Sequence, residues 1–278
     1  MEDITPKIAF ITAIYGGYET SCKKFVKQSM PADFICFTDN ANITDNGWII
    51  DTAPYHIINA SPLDDGSYVN SMKNNSHTFN IAKYYKQAFQ NIPRLKNYDV
   101  IVWLDGTIEI IFQHTARWIL NNYKKYKIIG WNHEWRLGNL KSEVNDSKNC
   151  GRYCTTFWNN QTQPYQDVDK QYNDYINDGY DELLWTKLKE IRLIDPNKVN
   201  YGVWITCFVV FDNKNNIVNE FLNMWYLQTL KYTTQDQISF PYVVQKLKLY
   251  PYTLPGGVVL GKNPHEKTLF YIKQTHGK

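Results

Sequence analysis

The sequence of 278 residues lacks an apolar run long enough to span a bilayer and lacks a basic-then-apolar leader at its N-terminus. Its lysines and arginines are scattered, and a net charge of only +3 is too weak a bias to indicate a nucleic-acid-binding protein. No internal repeat or low-complexity linker divides the chain. We therefore expect a soluble protein with a single domain over residues 1–278 and no transmembrane segment.

Cysteine is scarce: there are five, an odd number, without a repeated zinc-ligand spacing. Cys36 and Cys207 lie inside apolar runs, where a free thiol packs as a small hydrophobic group. Cys150 and Cys154 are close enough to pair, but one four-residue spacing is weak evidence for a disulfide. We expect reduced thiols and a cytoplasmic location. The Lys-, Asn- and Ile-rich composition fits an AT-rich genome, such as that of a large virus.

A dinucleotide fingerprint is also missing, because only two glycines follow the first apolar run. What the chain contains instead is strand-like runs that alternate with helical patterns. Strands are predicted at Lys7–Ile14, Asp33–Thr38, Gly47–Ile50, Val100–Leu104, Lys127–Trp131, Ile191–Ile194 and Gly202–Phe211. Helices are predicted at Asn75–Gln90, Thr115–Tyr123, Tyr165–Asn177, Glu182–Glu190, Asn215–Leu230 and from an N-cap at Thr233 or Thr234 to Leu247. This order predicts an α/β fold with a mixed, mostly parallel central sheet flanked by helices.

Two segments show no such pattern. Gly138–Pro164 is irregular and hydrophilic, which is typical of a mobile loop over a site. The tail from Pro251 is expected to be a loop that folds back onto the domain.

The run Val100–Leu104 stops abruptly at Asp105, which is followed by a glycine and a threonine. In an open α/β sheet, ligands bind outside the carboxyl ends of the strands. A carboxylate there is a suitable oxygen ligand for Mg²⁺ or Mn²⁺, which can hold a diphosphate. The alternative is a capped strand end, with Asp105 accepting turn hydrogen bonds. Polar residues also end the predicted strands at Asp39 and at Asn132–Arg136, so three strand tips carry them.

A series of short motifs resembles a glycosyltransferase-like family long catalogued as a domain of unknown function. That family is represented among plant mucilage and pollen proteins, bacteria and large DNA viruses. The motifs span almost the whole chain in the family's order: TAIYGGYE (12–19), FICFTDN (34–40), GW (47–48), the helix through Lys83, YDVIVWLDGTIEI (98–110), HEWR (133–136), GVWITCFVVFDN (202–213) and TTQDQISFPYV (233–243).

The resemblance implies a GT-A-like fold and a sugar transfer from a nucleotide-diphosphate donor, with UDP as the expected nucleotide, to a glycan or other hydroxyl acceptor. The family's acid-x-acid metal motif corresponds to Asp105-Gly106-Thr107, and its late metal-site histidine corresponds to His276. The implied ligands of Mn²⁺ or Mg²⁺ are therefore Asp105, Thr107 and His276. Threonine in place of the second acid removes a negative charge and lowers the expected metal affinity.

Asp236 is similar to the family's acid-Gln signature at a helix start, and it is the expected base that deprotonates the acceptor. A carboxylate base favours inversion at the anomeric carbon. The implied donor-binding residues are Ala13, Tyr15, Thr38, Asp39, Lys83, Asp105, His133 and Arg136. Among these, Lys83 and Arg136 would contact phosphates, and His133 would face donor or acceptor. Tyr15, Thr38 and Asp39 would line the base and ribose pocket.

Each of these roles has an ordinary alternative. Asp236 in a first helical turn compensates the helix dipole, His133 is as readily a structural histidine, and Lys83 is by position a solvated lysine. Two other functions also fit the same residues. One is a glycan- or nucleotide-binding module on a degenerate transferase fold, which the threonine at position 107 favours. The other is an enzyme that acts on a different diphosphate or lipid in the same pocket.

Overall fold

The computed structural model describes residues 6–58, 78–136, 138–149, 157–158, 161–162, 165–190, 202–232, 234–255, 258–260, 265–268 and 270–274. Its strands are β1 (Ile8–Ile14), β2 (Asp33–Thr38), β3 (Ile49–Asp51), β4 (Val100–Leu104), β5 (Ile108–Ile110), β6 (Ile128–Asn132), β7 (Phe157–Trp158), β8 (Gln161–Thr162), β9 (Trp204–Asp212), β10 (Tyr252–Leu254), β11 (Val258–Leu260), β12 (His265–Lys267) and β13 (Tyr271–Lys273). Its helices are α1 (Tyr55–Ile58), α2 (Thr78–Gln87), α3 (Thr115–Tyr126), α4 (Leu140–Asn149), α5 (Val168–Asn177), α6 (Leu184–Glu190), α7 (Asn216–Tyr232) and α8 (Asp236–Leu247). The expected strand–helix alternation is confirmed.

The main sheet has seven strands in the order β10-β6-β9-β4-β1-β2-β3. Every neighbouring pair is parallel except those made by β9, which runs antiparallel to both β4 and β6. The predicted mixed, mostly parallel sheet is therefore confirmed. Because β1, β2, β4 and β6 point the same way, their carboxyl ends meet at one edge of the sheet, where β9 begins.

Helices cover both faces of this sheet, as the sequence predicts. Side chains of β4 alternate between the faces: Ile101 and Trp103 enter the core cluster under α2, α7 and α8, and Val102 enters the cluster under α3. All five residues of β4 are buried. This explains why the strand is apolar throughout, since neither of its faces contacts solvent.

The C-terminal tail is not the loop that the sequence predicts. β10 pairs with β6 in the main sheet, and β11, β12 and β13 form a small antiparallel sheet with β5. Tyr271 is fully buried and stacks on Phe208 with 5.3 Å between ring centroids. Buried aromatic side chains of this kind stabilise short strands whose sequences are too short to show an alternating apolar pattern. The expected return of the tail to the domain is confirmed, and His276 lies outside the described residues.

The expected irregular loop over Gly138–Pro164 is also wrong in part, because it contains α4 and the short hairpin of β7 and β8. In α4, Leu140, Val144 and Ser147 are buried at helical spacing. Only two of these are apolar, so the periodic signal was too weak to indicate a helix. Cys150, Cys154 and the strand predicted at Ile191–Ile194 lie outside the described residues.

The structure also tests the predictions for the N-cap of α8, for the buried cysteines and for membrane-spanning helices. The N-cap residue of α8 is Gln235 rather than Thr233 or Thr234, and Thr234 Oγ1 bonds Asn80 Oδ1 at 3.3 Å. Cys36 and Cys207 are buried free thiols, as predicted. None of the described helices is both long and apolar enough to cross a membrane.

Candidate functional site

Four charged side chains meet at the carboxyl end of β4 and form what we call the charge cluster: Lys83, Lys86, Asp105 and Asp236. Lys83 Nζ lies 2.9 Å from Asp236 Oδ1, and Lys86 Nζ lies 2.6 Å from Asp236 Oδ2. Lys86 Nζ also lies 3.5 Å from Asp105 Oδ1. The two positive and two negative charges balance, which allows the cluster to exist in a largely buried place.

Both lysines come from one face of α2, where residues three apart are neighbours. The Lys86 side chain is 1% exposed and that of Lys83 is 18% exposed. The alternative of a solvated Lys83 is therefore wrong. Sequence analysis missed Lys86, although its spacing of three from Lys83 within the predicted helix was a usable signal.

Lys86 is held on several sides. It donates to Thr206 Oγ1 at 3.1 Å and lies over the rings of Trp103 and Trp225, 5.7 Å from each centroid. Burial alone would lower the pKa of Lys86, but Asp105 and Asp236 outweigh burial, so its pKa lies above the usual value. For Lys83, burial prevails over the attraction of Asp236 and its pKa is lowered. Lys86 is therefore the more firmly bound cation of the two.

Asp236, the first residue of α8, is 3% exposed. Its burial would raise the pKa of the carboxyl group, but Lys83 and Lys86 together lower it below the usual value. Thr206 Oγ1 adds a contact of 3.3 Å to Oδ1, and the backbone carbonyl of Asp236 accepts from Trp225 Nε1 at 3.1 Å. Asp236 is therefore ionised at neutral pH and contributes much more than a charge at a helix end.

Asp105 is the most exposed member of the cluster, with 40% of its side chain exposed. Its Oδ1 accepts from Trp103 Nε1 at 2.7 Å. Burial of the group would raise its pKa, but Lys86 and Lys83 prevail and lower it. The exposed carboxylate is thus charged, oriented by an indole and a lysine, and able to take a further ligand.

The fit of this place to a divalent metal rests on one carboxylate. Within the described residues no group of three or more histidine, cysteine, aspartate or glutamate side chains is arranged for a metal ion. Thr107 is buried, and its backbone carbonyl accepts from Gln274 N at 2.8 Å. An ion at Asp105 would take most of its ligands from phosphates and water, as is usual in Mg²⁺ coordination.

A second group of expected residues lies at the ends of β1 and β2. The carboxylate of Asp39 accepts from Gly16 N at 2.9 and 3.2 Å, and so joins the two strand tips. Ala13, Tyr15 and Thr38 are buried, and Asp39 presents its side chain to solvent. The Tyr15 hydroxyl donates to the hydroxyl of Tyr85 on α2 at 2.6 Å, so the Tyr15 side chain points into the protein interior.

The third group connects the tip of β6 to α4. Arg136 Nε lies 2.6 Å from Glu143 Oε2, and its Nη1 lies 2.6 Å from Asp146 Oδ2. His133 Nε2 lies 3.8 Å from Glu143 Oε2. Burial, with help from Arg136 and Lys273, lowers the pKa of His133 to about 4, so the imidazole is neutral at pH 7. The role of Arg136 as a phosphate ligand stays a prediction, and its charge is already balanced by two carboxylates.

This third group also reaches the charge cluster. Glu143 Oε1 accepts from Gln235 Nε2 at 2.9 Å and from Gln237 Nε2 at 3.0 Å, the residues on either side of Asp236. Sequence analysis missed all three, because their helix-to-helix contact joins residues more than 90 positions apart. A pair of glutamines flanking the predicted base was the only signal in the sequence.

Comparison with known proteins finds no matching protein-family model and no matching curated protein. Solved structures give partial matches. A core-mannan synthase A from Aspergillus fumigatus in an Mn/GDP form has a TM-score of 0.44 at 10% identity, over 98% of this chain and 77% of the other. A mannosyltransferase from S. cerevisiae has a TM-score of 0.41 at 11% identity, over 96% and 72%. Mouse xyloside xylosyltransferase 1 has a TM-score of 0.43 at 10% identity, over 90% and 84%. Likeness at this level identifies neither a family nor an activity for this chain.

Proposed function

We propose that this chain is a glycosyltransferase that moves a sugar from a nucleotide-diphosphate donor, with UDP as the favoured nucleotide, to a hydroxyl group of a glycan or other acceptor. The observation that carries the proposal is the solvent-facing carboxylate of Asp105 at the end of the central strand. It contacts Lys86, which also binds Asp236. Departure of a diphosphate needs positive charge at the leaving oxygens, from a metal ion or from lysine. The ordered series of motifs adds independent support.

Lys83 is our candidate for direct contact with the donor diphosphate. It is the more exposed lysine, and its ion pair with the cluster is a single contact to Asp236. Lys86, in contrast, bonds Asp236, Asp105 and Thr206. A phosphate oxygen can therefore replace Asp236 as the partner of Lys83 while Lys86 stays bound to both carboxylates.

A divalent ion, Mn²⁺ or Mg²⁺, would be held by Asp105, with Thr107 and His276 as the further ligands that the resemblance implies. When bound, such an ion neutralises charge on the diphosphate as the sugar leaves. The Trp103 indole N–H fixes the direction of Asp105, since it donates to Oδ1. The carboxylate of Asp105 would thus bind the ion in a fixed orientation.

Asp236 is the proposed base for the acceptor hydroxyl, and a direct attack assisted by this carboxylate inverts the anomeric carbon. With both lysines bound its pKa is low, so it is a weak base. Transfer of Lys83 to a phosphate would remove one of the two cations and raise the pKa of Asp236. Donor binding would thereby strengthen the base at the moment that it is needed.

The test is nucleotide release and sugar transfer from a panel of UDP- and GDP-sugars with Mn²⁺, Mg²⁺ or chelator. We expect Asp105→Asn and Asp236→Asn to lose turnover by at least 100-fold while the proteins stay folded. The matched control is Asp169→Asn, because Asp169 is also bound by two lysines, Lys141 and Lys148, but at the surface. Turnover at the wild-type level in Asp105→Asn would reject the proposal.

The second candidate, a binding module without turnover, is favoured by the single acid of Asp105-Gly106-Thr107. Thermal melting separates the two. A ligand at about 100 times its Kd adds roughly 2.7 kcal/mol of stability. A melting shift with a nucleotide, without any release of nucleotide from its sugar conjugate, would establish the binding module in place of the enzyme.

A further inference from the structure

The segment that carries Asp236 is attached at both sides to one buried carboxylate. Gln235 and Gln237 flank Asp236, and the side-chain amide of each donates to the same oxygen, Glu143 Oε1. The Glu143 side chain is 3% exposed and belongs to α4. Two amides converging on one buried oxygen hold the first turn of α8 against α4.

The other oxygen of Glu143 is occupied as well. Oε2 lies 2.6 Å from Arg136 Nε and 3.8 Å from the neutral His133 ring. Burial raises the pKa of Glu143, and the Arg136 guanidinium opposes that rise. Asp146 takes the second edge of the same guanidinium but bonds neither glutamine. Arg136 therefore stabilises the buried charge of Glu143, and Glu143 contacts both glutamines of α8, while Ser147 of α4 adds a contact of 3.1 Å to Gln235 alone.

Asp236 gains a fixed position from this arrangement. The α8 N-cap residue, Gln235, makes no side-chain cap hydrogen bond within its own helix, because its amide is directed at Glu143. Its backbone N–H is taken by Gln166 Oε1 at 2.7 Å. Gln237 Oε1 in turn accepts from Thr206 N at 3.4 Å, next to the hydroxyl that contacts Asp236. The start of α8 is thus tied to α4 and to β9 at once.

We propose that Glu143 is a positioning residue for Asp236: by binding the side chains of Gln235 and Gln237, it fixes the carboxylate of Asp236 between the two lysines and at the acceptor. The inference rests on the proposed function for its catalytic consequence, while the anchoring itself is independent of it. A displacement of a reacting group by about 1 Å is enough to cost roughly 100-fold in rate. Loss of the anchor should therefore lower kcat and leave the donor KM almost unchanged.

Glu143→Gln is the direct test, because an amide cannot present acceptor oxygens to both Arg136 and the glutamines. The matched control is Asp146→Asn, which removes the other carboxylate from Arg136 without touching α8. We expect Glu143→Gln to lower kcat by 10- to 100-fold with KM for the donor within threefold, and Asp146→Asn to change neither by more than twofold. If Glu143→Gln fails to fold, Gln237→Met removes one of the two amide contacts, together with the acceptor for Thr206 N, and leaves Glu143 paired with Arg136. It should lower kcat with an almost unchanged donor KM, and an unchanged kcat would reject the proposal.

A double-mutant cycle distinguishes positioning from general damage. If Glu143 acts through Asp236, adding Glu143→Gln to Asp236→Asn should lower the residual rate by less than twofold. Independent, multiplying effects of the two substitutions would reject the coupling.

Amide hydrogen exchange tests the anchor without any need for turnover. We expect faster exchange in the first turn of α8 for Glu143→Gln and unchanged exchange there for Asp146→Asn. Equal exchange in wild type and Glu143→Gln would overturn the anchor, whatever the activity. If the wild type shows no sugar transfer, the proposed function fails, and exchange alone still decides whether Glu143 holds Asp236.

Discussion

Removal of the Lys86 ammonium group should destabilise the protein far more than removal of the Lys83 ammonium group. Methionine replaces either side chain with a group of similar length, so Lys86→Met keeps its packing on Trp103 and Trp225 and removes the charge. Among the described residues, Asp236, 3% exposed, would then keep only Lys83 as a cationic partner, and Asp105 would lose its ion pair with Lys86. Breaking a buried ion pair from one side costs about 3–5 kcal/mol.

The expected cost of Lys83→Met is about 1 kcal/mol, since this lysine is partly exposed and Lys86 still neutralises Asp236. For chains of roughly this size, 1 kcal/mol shifts Tm by about 2–4 °C. We therefore expect Lys86→Met to melt roughly 6–20 °C below wild type and Lys83→Met to melt within about 4 °C of it. Calorimetry at pH 7, supported by chemical denaturation, measures both.

A companion variant checks the cause. Lys86→Met combined with Asp236→Asn should recover part of the lost stability, because the cost comes from a buried carboxylate left without its cation. Equal losses for Lys86→Met and Lys83→Met, or no recovery in the double variant, would refute the assignment of Lys86 as the structural cation of the cluster.

Three further outcomes are expected. In the folded chain the pKa of His133 is lowered from 6.5 to about 4. Its contribution to stability is therefore fully present above pH 6.5, and the free energy of unfolding falls by about 3 kcal/mol as the pH decreases towards 4. Glu143 changes stability in the opposite direction as the pH falls, because its pKa is raised. The stability of wild type is therefore compared with that of His133→Asn by urea denaturation from pH 7 to pH 4.5. Parallel dependences of stability on pH would contradict the lowered pKa of His133. Gly16 and Gly17 share a φ of +66°, but an added Cβ meets Thr78 Cγ2 at 2.4 Å only at Gly16. Gly16→Ala should therefore cost at least about 1 kcal/mol more than Gly17→Ala, and equal losses would mean that backbone strain alone matters. Nucleotide-dependent melting shifts should shrink in Lys83→Met more than in Arg136→Gln, since Arg136 is already neutralised by two carboxylates; the reverse order would identify Arg136 as the phosphate ligand.

Much of the architecture follows from local pattern. Strands such as β1, β2 and β4 are runs of apolar residues bounded by polar ones, and their two-sided burial in a parallel sheet is what makes those runs continuous. Helix α7 likewise follows from periodic apolar spacing, and α8 follows from the polar residues that mark its start. Where the pattern was weak, the prediction was wrong: α4 carries few apolar residues, and the tail strands are only three residues long. The single-domain assignment of residues 1–278 stays a prediction.

The sequence by itself determined that an acid ends the central strand, that a lysine lies on the preceding helix, and that an Asp-Gln pair opens a late helix. Only the tertiary structure decided which of these groups meet. Lys86 and Asp236 are 150 positions apart and lie 2.6 Å from each other, and Glu143 reaches the glutamines across more than 90 positions. Contacts at such separation depend on how the sheet brings α2, α4 and α8 to one edge. No local pattern in the sequence encodes that distance, and the charges there acquire partners, burial and shifted pKa values only after the chain has packed.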